Sequence, residues 1–266
     1  DLHASLDKLI SWSNKWQLKV NISKCNVLRI GCNCVYSDYT FDCDVFPRVE
    51  QVADLGIIVD SNLIFSNYVN KCTSKAFSRS FLIFKGFSSR NSQLLVKAFT
   101  ITYVRPLLEY NTYIWSPNDV RNITKIESVQ RRFTKRIPSV SHLSYRDRLE
   151  FLGLDSLEYR RLITDLVMMY KIVHNLVDVD CNALISVNST SVARNSFLKL
   201  YKPFSISSVR SHFLCVRCID VWNYLAEETR ASTSISVFKN SLVSYGFSAF
   251  LSVSNHNIRP IFFQDV

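Results

Sequence analysis

Apolar side chains recur at helical spacing through most of residues 66–174, and this periodicity constrains the fold more than any other feature of the sequence. Helices are expected over residues 66–87, over residues 91–115 with a break or kink at Pro106, from Ser116 to a stop at Pro138, and over residues 157–174. Ser116 and Pro117 are expected to be the N-cap and first helical position of the third of these. Ser144 and Asp147 have capping-box spacing ahead of a short helix that Gly153 ends.

The first sixty residues follow a different pattern. Leu2, Leu6, Leu9 and Trp16 lie at helical spacing and predict a helix over residues 2–18 that lies on a sheet. Short runs rich in β-branched and aromatic residues follow at 26–30, 35–41 and 53–59 and predict a small antiparallel sheet. Beyond residue 180 the Ser and Asn content rises, and only residues 215–225 and 237–245 have a helical pattern. We therefore expect an α+β fold that is mostly α.

Composition limits the possible partners. With 266 residues, 47% of them hydrophobic, the chain can build one or two cores. Lys and Arg exceed Asp and Glu by 32 to 22, which favours a polyanionic partner such as nucleic acid, although a solvated basic surface without a partner remains an alternative. The chain begins with Asp1 and enters a patterned helix at once, so we expect it to be part of a longer protein.

The cysteines and the apolar runs indicate in which cellular compartment the protein is expected. Eight cysteines occur without a secretory segment, which favours a reducing environment. The apolar run at residues 162–173 includes Asp165 and Lys171 and is too short to cross a bilayer. We expect a soluble intracellular protein, cytoplasmic, nuclear or both, with no membrane partner.

Two basic stripes are the candidate binding residues. At about 100° of rotation per residue, Arg121, Lys125, Arg132 and Arg136 fall within roughly 60° of one another. Arg131 and Lys135 flank them, while Ile123, Ile126, Phe133 and Ile137 occupy the opposite side. Lys71, Lys75 and Arg79 form a second stripe at intervals of four residues. Such faces suit phosphate contacts, which give affinity without base specificity. The alternative is two solvated faces.

Several groups of His, Cys, Asp and Phe residues allow both a functional and a purely structural interpretation. His212, Cys215 and Cys218 could contribute to a zinc site, with Cys181 or His256 as a distant fourth ligand, but their spacing equally suits one buried helix face. Asp42 and Asp44 flank Cys43 on a predicted strand edge, and Cys32 with Cys34 forms a still poorer metal pair. His142 and His174 are expected at the surface or at helix ends. The spacing of Phe77, Phe81, Phe84 and Phe87 favours a core between helices over a base-stacking platform.

Several motifs together resemble one family. Trp12-Ser13, Trp16, Leu18, Asn21, Lys24-Cys25 and Val27-Leu28 match the end of the palm helix in jockey-like, LINE-type (non-LTR) retrotransposon reverse transcriptases, and Asp54-Leu55-Gly56 resembles the strand that leads into the thumb. The most specific match is Val104 to Tyr110, then Trp115-Ser116-Pro117, then Ile126 to Thr134. Tyr145 to Leu149, Trp222-Asn223 and Phe238-Lys239 resemble later segments, although Ala226 stands where the family usually has proline.

The resemblance implies an organisation of the chain. Residues 1–62 would be the C-terminal part of the palm, 63–138 the thumb, 139–180 post-thumb helices and 181–266 a loosely defined C-terminal region. In this family the magnesium-binding aspartates of the polymerase lie before the helix that begins at Leu2. This chain has no Asp-Asp pair, so no catalytic, metal or cofactor residue is assigned to it.

The expected function is that of a truncated RNA-directed DNA polymerase fragment of a transposable element, inactive alone. Its expected partner is an RNA or DNA template–primer, held weakly and nonspecifically, together with the upstream palm and fingers segment. One alternative is a non-enzymatic helical scaffold that binds nucleic acid or protein and derives from such an element. Another is a polymerase assembled from this chain and a second chain that carries the aspartates.

Overall fold

The computed structural model describes residues 2–31, 38–41, 44–187 and 198–253. The chain divides into two compact units, Asp1–Tyr68 and Val69–Val266. The fold is mostly helical with a few two-stranded pairs, which confirms the predicted α+β class. Within the described ranges no helix is both long enough and apolar enough to cross a membrane.

The described residues of the first unit form one α-helix, a single 3-10 turn at Ile22–Lys24 and three pairs of short strands before α2 begins. Helix α1 spans Leu2–Trp16; the strands are β1 Val27–Leu28, β2 Thr40–Phe41, β3 Asp44–Val45, β4 Arg48–Val49, β5 Gln51–Asp54 and β6 Ile57–Asp60. β2 pairs with β3 and β5 with β6 in the antiparallel sense, whereas β1 and β4 are parallel. The predicted single antiparallel sheet is thus wrong in detail, because the described strands form separate pairs and one of them is parallel.

The predicted strand over residues 53–59 is a hairpin. Leu55 and Gly56 have φ angles of 44° and 87°, the left-handed conformation that both central residues of a type I′ turn require. Asp54 therefore pairs with Ile57 across the turn. The sequence analysis missed the turn because leucine rarely adopts a positive φ, and only Gly56 signalled it.

Helix α1 covers less of its apolar surface than its pattern predicts. It contacts β2, and the ring centroids of His3 and Tyr39 lie 5.1 Å apart. Leu2, Leu9 and Trp16, however, are exposed. The helix is present as predicted, but most of the face expected to lie on a sheet has no cover among the described residues.

The second unit contains the remaining elements; α2 begins in the first unit and crosses the boundary. Its helices are α2 Ser66–Gly86, α3 Ser92–Lys97, α4 Arg105–Glu109, α5 Thr112–Trp115, α6 Val120–Lys135, α7 Tyr145–Leu152, α8 Leu157–Val173, α9 Cys181–Leu184, α10 Ser208–Ser211, α11 Leu214–Arg217, α12 Ile219–Tyr224, α13 Glu227–Arg230 and α14 Ile235–Leu242. The pair β7 Ser186–Val187 and β8 Leu200–Tyr201 is antiparallel. A π-helical stretch, Ala98–Tyr103, joins α3 to the break before α4.

Helix breaks follow local chemistry. Pro106 lies in the first turn of α4, where its missing N–H is tolerated, so the predicted break occurs just before it. A second break, at Asn111, was not predicted and has a φ of 51°. The start of α6 corrects the expected Ser116 cap: the N-cap is Asp119, whose Oδ1 accepts a 2.8 Å bond from the Asn122 N–H. An acidic cap at this place also complements the helix dipole.

The predicted caps of α7 are confirmed. The Ser144 hydroxyl accepts a bond from the Asp147 N–H and donates one to the Asp147 carboxylate, while Gly153 ends the helix with a φ of 63°. Helix α8 then begins after the Ser156 cap and ends at Val173, one residue before the predicted end.

The C-terminal helices share one hydrophobic core with α8. Trp222 and Phe238 are fully buried there, and the ring centroids of Phe238 and Tyr170 lie 4.5 Å apart. Cys215 and Cys218 belong to the same core, which confirms the buried-face interpretation of these two thiols. The predicted helix over 215–225 is present as two short helices, α11 and α12.

Candidate nucleic-acid interface

Helix α6 has two chemically distinct faces. Ile123, Ile126 and Phe133 are buried, and Ile137 is buried just beyond the helix end. The opposite face is exposed and carries the predicted cations Arg121, Lys125, Arg131, Arg132, Lys135 and Arg136. The spacing argument therefore located both faces correctly.

Helix α2 runs beside α6 in the same direction. The Lys125 ammonium donates to the side-chain oxygen of Asn70 near the start of both helices. Further along, the Arg132 guanidinium carbon lies 4.9 Å from the centroid of the Phe77 ring. Buried Phe84 packs its ring 5.1 Å from that of Phe133. The contact with Phe133 confirms, for Phe84, the predicted packing of the α2 phenylalanines between helices.

Three arginines of this face lie over aromatic rings. Arg136 is 4.2 Å from the centroid of Phe84, and Arg131 is 4.7 Å from that of Tyr145; Arg132 over Phe77 is the third. Stacking restricts the guanidinium while leaving its N–H groups at the edge available to an acceptor. These cations are consequently partly ordered before any ligand arrives.

The second predicted stripe lies elsewhere on α2. Asn70, Phe77, Phe81 and Phe84 of α2 contact α6 or its C-cap residue Arg136. At about 100° per residue, Lys71, Lys75 and Arg79 are rotated from the centre of that contact by roughly 110° to 170°. Lys71 and Lys75 are exposed and Arg79 is half-buried. The structure therefore does not bring the two stripes together into one surface.

Acidic groups do not neutralise the α6 face. Across the described ranges, none of the nine predicted binding cations forms an ion pair within 4.0 Å. Glu127 is the acid within α6, and it is buried on the core side. Burial raises the pKa of the Glu127 carboxyl, against the opposing effects of the Tyr145 hydroxyl, Arg161 and two backbone N–H groups. The cationic field at the surface is thus largely uncompensated.

Glu127 is the centre of a buried polar network that the sequence analysis missed. Its Oε2 accepts bonds of 2.9 and 3.3 Å from the N–H groups of Leu157 and Glu158, at the start of α8. The Tyr145 hydroxyl donates to its Oε1. Gln130 Nε2 in turn donates to the Tyr145 hydroxyl, at 3.2 Å, and to a backbone carbonyl at 2.9 Å. A carboxylate from α6 therefore caps α8 and fixes α7.

The signature at residues 126–134 thus has a structural explanation. Thr134 Oγ1 accepts a 3.1 Å bond from Arg148 Nε, and Arg148 Nη1 donates to the Leu143 carbonyl at 2.8 Å. Burial lowers the pKa of Arg148. The polar positions of the motif therefore hold helices together, and its exposed arginines are the part available for binding. A polar residue on the apolar face of the helical wheel, such as Glu127 or Gln130, was the available signal.

The signature at residues 104–110 also has a structural role. Arg160 donates to both carboxylate oxygens of Glu109, with Nη2 to Oε2 at 3.1 Å, and Arg105 approaches the same carboxylate at 3.8 Å. Elsewhere in the same unit, Arg217 donates two hydrogen bonds to the Asp165 carboxylate, of 2.9 and 2.8 Å. These arginines are engaged inside the protein and do not contribute to the basic face.

The described cysteines and histidines singled out in the sequence make local contacts. Cys215 and Cys218 are buried, and burial raises the pKa of the Cys215 thiol to about 11. His212 Nδ1 lies 2.5 Å from the carbonyl of Ser208 in its own segment. His174 follows the last residue of α8 and its Nε2 lies 2.8 Å from the Arg230 carbonyl, a helix-end position as predicted. Residues 32, 34, 42, 43 and 256 lie outside the described ranges.

Stacking on Phe77 gives a testable difference between two arginines of α6. Arg132→Lys keeps the charge but loses the planar contact with the ring, so we expect the free energy of unfolding to fall by about 0.5–1 kcal/mol. Arg121→Lys is the matched control, because no ring contact involves Arg121 among the described residues. Chemical denaturation of both variants measures the difference. Equal stability of the two variants would show that the stacking contributes nothing.

Comparison with known proteins gives one distant relative. No family model matches the chain. No solved structure matches it either. The chain is similar to "Uncharacterized protein B0403.1" of Caenorhabditis elegans, with 27% identity over 161 residues that cover 59% of this chain and 79% of the relative. The name of that protein states no activity.

Proposed function

We propose that this chain is the portion of a LINE-type reverse transcriptase that follows the catalytic aspartates, and that it binds a template–primer duplex through the basic face of α6. The observation that carries the proposal is the row of exposed cations on α6 without described acidic partners. The resemblance of residues 104–134 to the family adds the identity of the duplex, an RNA–DNA or DNA template–primer.

The length of the face suits a nucleic-acid backbone. At a rise of 1.5 Å per residue, Arg121 and Arg136 are separated by roughly 22 Å along the helix axis, and Lys125 and Arg132 lie between them. Duplex DNA carries phosphates about every 3.4 Å of axis on each strand, so several phosphates fall within that length. Contacts of this kind position a duplex but do not read its sequence. Binding is accordingly nonspecific.

The proposal assigns no polymerase step to this chain. Phosphoryl transfer by two metal ions needs clustered carboxylates, and the described residues contain no group of three or more His, Cys, Asp or Glu side chains that could hold a metal ion. No adjacent pair of aspartates occurs anywhere in the sequence. The chemistry would come from an upstream palm and fingers segment, inside the cytoplasm or nucleus.

The test is a salt titration of duplex binding. A fluorescein-labelled RNA–DNA hybrid is titrated with the full chain between 50 and 200 mM salt, a range across which four or five phosphate contacts weaken binding by about 250- to 1,000-fold. We expect log K to fall with log salt with a slope of about −4 to −5, near −0.9 per phosphate contacted. Absence of binding at the low-salt end would refute the proposed function.

A primer-extension assay tests the second half of the proposal. With magnesium, nucleotides and a primed RNA template, this chain alone is expected to add no nucleotide, because it lacks the paired carboxylates. Extension by this chain alone would overturn that claim. Extension only on mixing with a second chain that carries the aspartates would favour an enzyme assembled from two chains.

The exposed apolar face of α1 favours a second candidate, a helical scaffold without enzymatic activity. Leu2, Leu9, Trp12 and Trp16 are all exposed on that helix. A face of this kind seeks a partner or promotes aggregation. If the chain aggregates and an upstream palm segment supplied in trans relieves the aggregation, the polymerase fragment is favoured. A monodisperse monomer that binds no nucleic acid would favour the scaffold.

A further inference from the structure

A second exposed surface lies far along the chain from α6, in residues 199–213. Tyr201 is 58% exposed, Phe204 89% and Ile206 93%. Large apolar side chains that protrude to this extent, in one continuous segment, are uncommon on a surface that meets only water. We name Tyr201, Phe204, Ile206 and Phe213, with the cations Lys199, Lys202 and Arg210, the aromatic–basic segment.

The backbone at the start of this segment is fixed. Asn223 accepts a 2.9 Å bond from the Leu200 N–H and donates a 2.8 Å bond to the Leu200 carbonyl. Trp222 Nε1 donates to the Leu198 carbonyl at 2.8 Å. Because side chains alternate along a strand, the burial of Leu200 at the core turns Tyr201 outward. Its ring is therefore presented by a rigid element.

Beyond β8 the exposed positions change phase, because Tyr201 and Lys202 are both exposed. Pro203 and Ser205 are half-buried, whereas Phe204 and Ile206 are exposed. Phe204 and Ile206 are thus the two most exposed apolar side chains of the segment. Near the end of the segment, the Arg210 guanidinium lies 5.4 Å from the centroid of the Phe213 ring. Rings and cations are thus interleaved.

The charge of the segment selects the class of ligand. Residues 199–213 contain three cations and no acidic residue, and the acid-free stretch extends from residue 181 to residue 219. Lys202 pairs with Asp220, but both side chains are about half exposed and an exposed pair contributes little stability. A phosphate could replace that carboxylate at small cost. The ligand should therefore be anionic and have flat faces for stacking.

We propose that the aromatic–basic segment binds single-stranded nucleic acid, with bases stacked on Tyr201 and Phe204 and phosphates near Lys199, Lys202 and Arg210. Exposed rings among cations match the general way in which single strands are held without sequence preference. A lipid surface is disfavoured because interfacial binding typically uses a long amphipathic helix, and the only described helix here, α10, has four residues. The site is separate from α6 and does not depend on the duplex-binding proposal.

The experiment compares two phenylalanines. Phe204→Ala removes the proposed stacking ring, and Phe151→Ala removes an equally simple exposed ring, 65% exposed, on α7. Anisotropy of a fluorescein-labelled 20-nucleotide oligothymidylate is measured with the full chain and both variants. We expect Phe204→Ala to weaken binding about tenfold and Phe151→Ala to leave it unchanged. Thermal melting verifies that both variants remain folded, as their exposure leads us to expect.

The outcomes separate this inference from the duplex-binding proposal. Equal affinity of the two variants for the oligothymidylate, or no binding by the wild-type chain at low salt, overturns it. Binding to vesicles that contain phosphatidylserine, lost on Phe204→Ala, without binding to the oligothymidylate would overturn it in favour of a lipid surface. Binding of the single strand that depends on Phe204, together with failure to bind the RNA–DNA hybrid, would leave this site standing and remove the function proposed for α6.

Discussion

Reversing four charges on α6 should weaken duplex binding by at least about a hundredfold at low salt. The variant carries Arg121→Glu, Lys125→Glu, Arg132→Glu and Arg136→Glu. Each substitution removes a phosphate contact and adds repulsion, so the slope of log K against log salt should also lose about 3.6 units, at 0.9 per phosphate contact. The variant also loses the Lys125–Asn70 hydrogen bond and the ring contacts of Arg132 and Arg136, so circular dichroism verifies that it remains folded.

The matched control changes the net charge equally on the first unit. Lys8, Lys15, Lys19 and Lys24 are exposed there, and their replacement by glutamate produces the same total change in charge. If binding depends on the arrangement of cations on α6, the control retains most of its affinity and salt slope. Equal weakening in both variants would mean that net charge alone attracts the duplex and that α6 is not its binding surface.

The stripe on α2 provides a separate comparison. Lys71, Lys75 and Arg79 lie on a flank of α2 turned away from the contact with α6. Their reversal to glutamate should therefore reduce affinity less per charge than reversal on α6. A larger loss per charge would shift the proposed duplex path to that flank.

Truncating Glu127 should produce the largest loss of stability among single substitutions in this region. Glu127→Ala leaves the N–H groups of Leu157 and Glu158 and the Tyr145 hydroxyl without their acceptor in a buried site. Unsatisfied buried groups cost about 1–3 kcal/mol each, so we expect the free energy of unfolding to fall by about 3 kcal/mol or more. Urea denaturation followed by circular dichroism measures it.

Glu150→Ala is the control for that loss, because Glu150 lies exposed on α7. Its free energy of unfolding should match that of the wild-type chain to within about 0.5 kcal/mol. A free energy of unfolding for Glu127→Ala indistinguishable from that of Glu150→Ala would contradict the role assigned to the buried network.

Glu127→Gln separates the charge of the buried group from its hydrogen bonds. Burial raises the pKa of Glu127 above 4.5, its ordinary value, so the carboxyl holds its proton more tightly in the folded than in the unfolded state. The corresponding stability is fully present below about pH 4.5 and is lost as the pH rises through the folded-state pKa. The wild-type chain should therefore lose stability relative to Glu127→Gln as the pH rises. A stability difference independent of pH would show that the pKa is not raised.

Much of the helical architecture could be predicted because its causes are local. The caps at Ser144 and Gly153 depend on residues within one helical turn, and both occur as predicted. The two faces of α6 follow from the 3.6-residue period, which needs no knowledge of neighbouring elements. The zinc interpretation and the core interpretation of the cysteines, by contrast, predict the same spacing, and only the packing against α8 places Cys215 and Cys218 in the core.

Some local structure was nevertheless missed. Leu55 adopts a positive φ in the β5–β6 turn, and Asp119 rather than Ser116 caps α6. In the first case the pairing of β5 with β6 stabilises a conformation that leucine does not favour by itself. In the second, two adequate caps lie three residues apart, and the sequence does not rank them.

The sequence by itself determined the helices, the basic face of α6 and the lack of paired aspartates, since these depend on residue order and helical period alone. Only the tertiary structure decided which polar residues are buried. Glu127 and Gln130 share a helix with Arg131 and Arg132, yet the first two join helices and the last two stay exposed. The physical reason is that burial and hydrogen bonding depend on which side chains α7 and α8 bring to each position, and those partners lie 15 to 31 residues away.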